Sequence, residues 1–133
     1  MGYPSRGAVS QDTRNRRAER TRGDEEERRR MSEVLGPEAL GAELGERATL
    51  VQFSTAFCQP CRATRRTLAE VAAMVPGVGH VEIDAEARLD LVRALGIART
   101  PTVLVLDRTG RVVRRAAGQP RRADVIAALG GAV

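Results

Sequence analysis

From Ala48 onward the sequence alternates strand-like and helix-like segments, and the first of these alternations constrains the architecture most. "ATLVQF" (Ala48 to Phe53) is a short run rich in Leu, Val and Phe, as a buried strand requires. From Cys58 to Val75 the apolar residues Leu68, Val71, Ala72 and Val75 recur at i, i+3, i+4, i+7, which is one face of a long helix. "PGVG" (Pro76 to Gly79) stops it, and "HVEID" (His80 to Asp84) alternates as a strand does. Two strands joined by a helix of crossover length lie parallel.

The rest of the chain extends this unit. "ARLDLVRAL" (Ala87 to Leu95) places Leu91 and Leu95 on one helical face, and "PTVLVLD" (Pro101 to Asp107) is a β-branched apolar strand. "DRTG" (Asp107 to Gly110) is a hairpin turn in which Gly supplies a positive φ, so "RVVRRAA" returns antiparallel. "RADVIAALG" (Arg122 to Gly130) closes the chain as a helix with Val125, Ile126 and Leu129 inward. Upstream, "PEALGAEL" (Pro37 to Leu44) reads as a short amphipathic helix behind Gly36. The order from Ala48 is β-α-β-α-β-β-α, an α/β chain with a mixed central sheet flanked by helices.

At 133 residues the chain suits one small domain, expected over residues 31–133. Residues 1–30 carry nine Arg against six acids and almost no large apolar side chains, the composition of a disordered Arg/Glu-rich tail. That segment holds most of the net charge of +5. A charge run of this kind is ordinarily solvated, and with two Phe, one Tyr and no Trp the chain offers no stacking platform for bases. Nucleic acid is therefore not an expected partner. No segment approaches the ~18 to 20 apolar residues of a membrane span, so no membrane partner is expected either. The N-terminus lacks the apolar core of a secretory signal, and the expected location is cytoplasmic.

Both cysteines fall in "QFSTAFCQPCRATRR" (Gln52 to Arg66), as Cys58 and Cys61. One local pair is no disulfide framework for a secreted miniprotein. Pro60 fits the first helical turn, which puts Cys58 at or just before a helix N-terminus, where free N–H groups and the helix dipole favour a thiolate. Cys61, one turn on, is placed to attack a mixed disulfide formed at Cys58. Two rival readings stay open. Free cysteines are often buried structural residues, and a zinc site uses Cys and His, though this chain has only Cys58, Cys61 and the single His80 against the four ligands required. No GxGxxG fingerprint is present, so neither a flavin nor a nicotinamide cofactor is expected and no metal is assigned.

"LVQFSTAFCQPCRATRRTLAEVA" resembles the active-site segment of the thioredoxin family, in which a strand ending in Phe leads through a short loop into CxPC and a long helix. "GIARTPTVLVLDRTGRVVRRAAG" (Gly96 to Gly118) is similar to that family's cis-proline strand, hairpin and following glycine. The resemblance covers Met31 to Val133 and implies a thioredoxin fold and a thiol–disulfide oxidoreductase that reduces protein disulfides. It makes Cys58 the exposed nucleophile, Cys61 the buried resolving thiol and Pro101 the cis-proline. Thr100 would pair with an extended substrate segment, and Phe57, Gln59, Pro60 and Gly118 would border it. The implied partners are disulfide-containing proteins and a separate recycling reductase. A non-enzymatic binding or redox-sensing module on the same fold is the alternative.

The chain also departs from that pattern. Gln52 stands where the family keeps a buried Asp, His80 where it has a Lys, Ser54 and Phe57 where it has Trp, and Gln59 where it has Gly. Proton exchange with Cys61 must then use water or another group. His80 is one candidate, with a solvated strand-start histidine as the plainer reading. Arg62 would lower the Cys58 pKa if its guanidinium reached the sulfur, against the plainer reading of a solvated helix-surface Arg. The N-terminal strand is expected to be shortened or missing in "MSEVL".

Overall fold

The computed structural model describes residues 34–133; the expected tail, residues 1–30, lies outside the described residues. Along the chain come α1 (Pro37–Leu40), β1 (Ala48–Ser54), α2 (Gln59–Met74), β2 (Val78–Asp84), α3 (Leu89–Leu95), β3 (Thr102–Asp107), β4 (Val112–Ala117) and α4 (Arg122–Gly130). The strands form one sheet in the order β2-β1-β3-β4. β1 runs parallel to β2 and antiparallel to β3, and β3 and β4 form the hairpin. Both the parallel crossover and the antiparallel hairpin are as the sequence pattern implies.

β1 lies between two strands and under helices on both faces, so all seven of its residues are buried. Ala48 and Leu50 pack with Leu68 and Val71 of α2, Val103 and Val105 of β3, and Val125 and Leu129 of α4. Val51 and Phe53 point the other way, into Ile83, Leu91, Leu95, Leu104 and Leu106. Removing Phe53 from water is worth about 1.5–3 kcal/mol, and truncating it to Ala would cost about 3–5 kcal/mol because a cavity remains. This double-sided burial fixes the end of β1 from which the cysteine loop departs.

Four details differ from the sequence reading. The first helix stops at Leu40 instead of Leu44, because Gly41 turns left-handed (φ 71°) and donates its N–H to the Pro37 carbonyl at 2.8 Å. β2 starts at Val78, since the glycine at 79 pairs with Thr49 where a loop was expected. In α4 Val125 and Leu129 are buried but Ile126 is 40% exposed, as one residue step turns it away from the sheet. The bend at Ala87 and Arg88 delays α3 to Leu89, with the Ala87 and Arg88 N–H groups both held by the Asp84 carbonyl at 3.1 Å. Of "MSEVL", Val34 makes a single antiparallel bridge to Arg111.

The hairpin needs its glycine. Gly110 has φ 91°, and a Cβ there would run into the Leu35 backbone, whose N–H donates to the Gly110 carbonyl at 2.7 Å. On β4, the Arg115 guanidinium donates to the carbonyls of Leu95 and Gly96, which supplies partners at the open C-terminal end of α3.

Candidate active site

From Ser54 the chain passes through Thr55, Ala56 and Phe57 to Cys58, the N-cap of α2, with Pro60 in its first turn. The two sulfurs form a disulfide with the Cα atoms 5.2 Å apart. Cys58 is partly exposed while Cys61 is 1% exposed. The Cys61 N–H donates to Cys58 Sγ at 3.2 Å. When the disulfide opens, that N–H and the helix terminus face Cys58 Sγ, surroundings that favour a negatively charged sulfur.

Phe57 is 96% exposed and holds φ at 63°, a region costly for a bulky aromatic side chain. Gln59 and Pro60 are exposed beside it. Across from this loop the Thr100–Pro101 peptide bond is cis, and the Gly118 N–H donates to the Pro101 carbonyl at 2.8 Å. Gly118 has φ 90°, and the Arg99 guanidinium lies 3.6 Å from where a Cβ would stand. The hydroxyls of Thr55 and Thr100 are 3.1 Å apart, so the cysteine loop and the cis-proline loop are joined by a direct hydrogen bond. Sequence reasoning named Thr100 but not Thr55. Arg62 is exposed and, among the described residues, makes no ion pair.

The thioredoxin family model matches residues 36–130. The chain belongs to the thioredoxin family. It is 26% identical to the thioredoxin of Chlamydia muridarum (strain MoPn / Nigg) over 88 residues, 66% of this chain and 85% of that protein. Among solved structures, spinach chloroplast thioredoxin f in its short form is similar with a TM-score of 0.58 and 24% identity, covering 66% of this chain and 78% of that one. Thioredoxin-2 of the malaria parasite, described as a component of its protein secretion machinery, gives a TM-score of 0.61 at 16% identity, covering 70% and 90%. The fold is the thioredoxin fold, and with the Cys58–Cys61 pair it supports thiol–disulfide oxidoreductase chemistry in the general sense.

Beneath the pair the chain has its own arrangement. Gln52 is fully buried, and its Nε2 donates both to the Cys61 carbonyl at 2.7 Å and to Ser54 Oγ at 2.9 Å. Ser54, 6% exposed, donates in turn to Glu82 Oε2 at 2.9 Å, and Arg65 of α2 grips that carboxylate from the helix side at 2.8–2.9 Å. Ser54 thus turns inward, away from the rim of the cysteine site. His80 is half-buried, not a solvated strand start. Burial holds its pKa below the ordinary histidine value, the Glu82 carboxylate opposing this and the Arg65 guanidinium adding to it.

Glu82 and Arg65 were not singled out from sequence, yet a signal existed. In "HVEID" the period of two puts His80 and Glu82 on the face that α2 covers, and polar groups there need partners. Among the described residues, no three of His, Cys, Asp and Glu gather as a metal site, and no helix is long and apolar enough to cross a membrane.

Proposed function

We propose that this thioredoxin-family chain is a protein-disulfide reductase. In the reduced state Cys58 attacks one sulfur of a substrate disulfide, forming a mixed disulfide and releasing the other substrate sulfur as a thiolate. Cys61 then gives up its proton and attacks Cys58 Sγ, releasing the second substrate sulfur and leaving the Cys58–Cys61 disulfide. Two electrons pass to the substrate through sulfur alone, so no cofactor is invoked. A separate reductase returns the pair to the dithiol.

The observation that carries this reading is the asymmetry of the pair. Cys58 is accessible and faces the Cys61 N–H at a helix N-terminus, whereas Cys61 is 1% exposed. An outer sulfur is placed to meet a macromolecule and an inner one to resolve the adduct. The substrate segment lies extended along the Thr100 backbone beside Pro101, as an added strand, with Phe57, Gln59, Pro60 and Gly118 around it. Reduction suits a reducing compartment such as the cytoplasm, and the reading involves neither a membrane nor a nucleic acid.

Turnover tests it. With a dithiol reductant in excess, the protein is expected to reduce a disulfide-bonded protein such as insulin over many cycles, and Cys58→Ser is expected to fall to the rate of the reductant alone. A wild-type protein no faster than the reductant alone would refute the proposal.

A further inference from the structure

Two buried side-chain atoms find no hydrogen-bond partner among the described residues, Gln52 Oε1 and His80 Nε2. They lie on the same face of the sheet. In the parallel β1–β2 register Leu50 is opposite His80 and Gln52 is opposite Glu82, so Gln52 and His80 are diagonal neighbours on adjacent strands. With adjacent strands about 4.8 Å apart and a rise of about 3.3 Å per residue, such diagonal Cα pairs are about 8 Å apart across the sheet, within reach of long side chains. The amide of Gln52 cannot be turned round, because the Cys61 carbonyl and Ser54 Oγ both receive hydrogens from its nitrogen. Its oxygen is thereby committed to an acceptor role beneath Cys61.

A buried acceptor without a partner is costly, and one water that donates to it and meets the imidazole nitrogen on the other side removes both penalties together. We propose that His80 is the proton acceptor for Cys61, reached through one buried water held between Gln52 Oε1 and His80 Nε2. This rests on the reductase reading above, and it assigns the task to a histidine because the nearby carboxylate, Glu82, is already engaged by Ser54 and Arg65.

The step balances as follows. The Cys61 S–H bond breaks with its electron pair left on sulfur; the proton enters the water, which passes one of its own to His80 Nε2. The Cys61 thiolate forms the S–S bond to Cys58 as the bond from Cys58 to the substrate sulfur breaks, and the leaving thiolate or solvent takes up the proton from the imidazolium. The charged groups facing His80 are Glu82 on its own strand and Arg65 on α2, while β1 presents Leu50 and Gln52, neither of which titrates. Burial favours the neutral ring, and the proposed role takes the tautomer that carries its proton on Nδ1 and leaves Nε2 as the base.

The test separates the two chemical steps. A chromogenic aromatic disulfide such as 5,5′-dithiobis(2-nitrobenzoate) releases one coloured thiolate when Cys58 attacks and a second when Cys61 resolves. In wild type the rate of the second phase should rise with pH and level off at the midpoint of His80 titration. That midpoint is measurable by proton NMR without assignment because the chain has one histidine. In His80→Phe the first phase should be unchanged, and the second should be slower on the order of a hundredfold at pH 7 and keep rising with pH. Identical pH profiles in the two proteins would overturn the proposal. Should the variant fail to fold, a wild-type plateau that does not coincide with the NMR midpoint would overturn it on its own. A wild-type protein that releases no second equivalent would refute the reductase reading itself, an outcome distinct from either of these.

Discussion

The side-chain amide of Gln52, at the centre of the sheet, donates to the main-chain carbonyl of Cys61 at 2.7 Å and so ties β1 to the first turn of the helix that carries both sulfurs. A carboxylate at that position would present only acceptors to a carbonyl. Gln52→Leu is expected to lose about 1–3 kcal/mol of stability in urea unfolding, since two buried hydrogen bonds go and leave the Cys61 carbonyl without this donor.

Gln52→Glu should behave differently with pH. A fully buried Glu has its folded-state pKa raised above the unfolded value of about 4.3. Its stability relative to wild type is therefore highest below that pH and declines as pH rises through the folded pKa. Urea unfolding from pH 4 to 8 reads this, and a constant difference across the range would contradict it.

Cys61→Ser should convert the protein from a catalyst into a trap. Cys58 still attacks, but nothing resolves the adduct, so a stable one-to-one mixed disulfide with a protein substrate should accumulate and disappear on adding dithiol. Mass spectrometry under non-reducing conditions detects it. If Cys58→Ser trapped the substrate instead, the order of attack would be reversed.

Phe57 is held 96% exposed at φ 63°, where glycine is comfortable and phenylalanine is not. Phe57→Gly should fold without loss of stability from that position's backbone. Its kcat/KM for a protein disulfide should nevertheless drop about tenfold, as the aromatic contact with substrate is worth roughly 1.5 kcal/mol or more when buried. Alkylation of Cys58 by iodoacetamide should be unaffected. An unchanged kcat/KM would remove Phe57 from the substrate surface.

The hairpin carries a pH signature. The Asp107 carboxylate accepts from the Thr109 hydroxyl at 2.6 Å and from the Thr109 and Arg111 N–H groups at 2.9 and 3.0 Å. The Thr109 hydroxyl is the main cause of a pKa held below the ordinary 3.8. A depressed pKa contributes stability above the unfolded value that is lost as pH falls through the folded one. Asp107→Asn should therefore be less stable than wild type near neutrality, with the gap closing below about pH 4. A gap that persists at pH 2 would point to shape and not charge.

Much of this was legible in the sequence because period and spacing encode it. The apolar run of β1, the i, i+3, i+4, i+7 face of α2 and the DRTG turn each have one cheap conformation, and CQPC after a strand marks a helix start. What escaped was set by partners far along the chain. Glu82 is drawn to Ser54 and Arg65 by strand register and helix placement, Thr55 to Thr100 by the meeting of two loops, and Ile126 is turned outward by α4 rotation. Gly41 ended α1 early because its left-handed φ closes the helix after one turn. None of these relationships is periodic in sequence.

The central claim is that Cys58 and Cys61 exchange two electrons reversibly with other thiols. The most direct measurement is to equilibrate the purified protein across thiol–disulfide buffers, quench by alkylation and count the modified cysteines by mass. A single two-electron transition between a doubly alkylated and an unalkylated form is expected, with no appreciable singly alkylated species. A protein that stays doubly alkylated in fully oxidising buffer, never forming the Cys58–Cys61 bond, would contradict it.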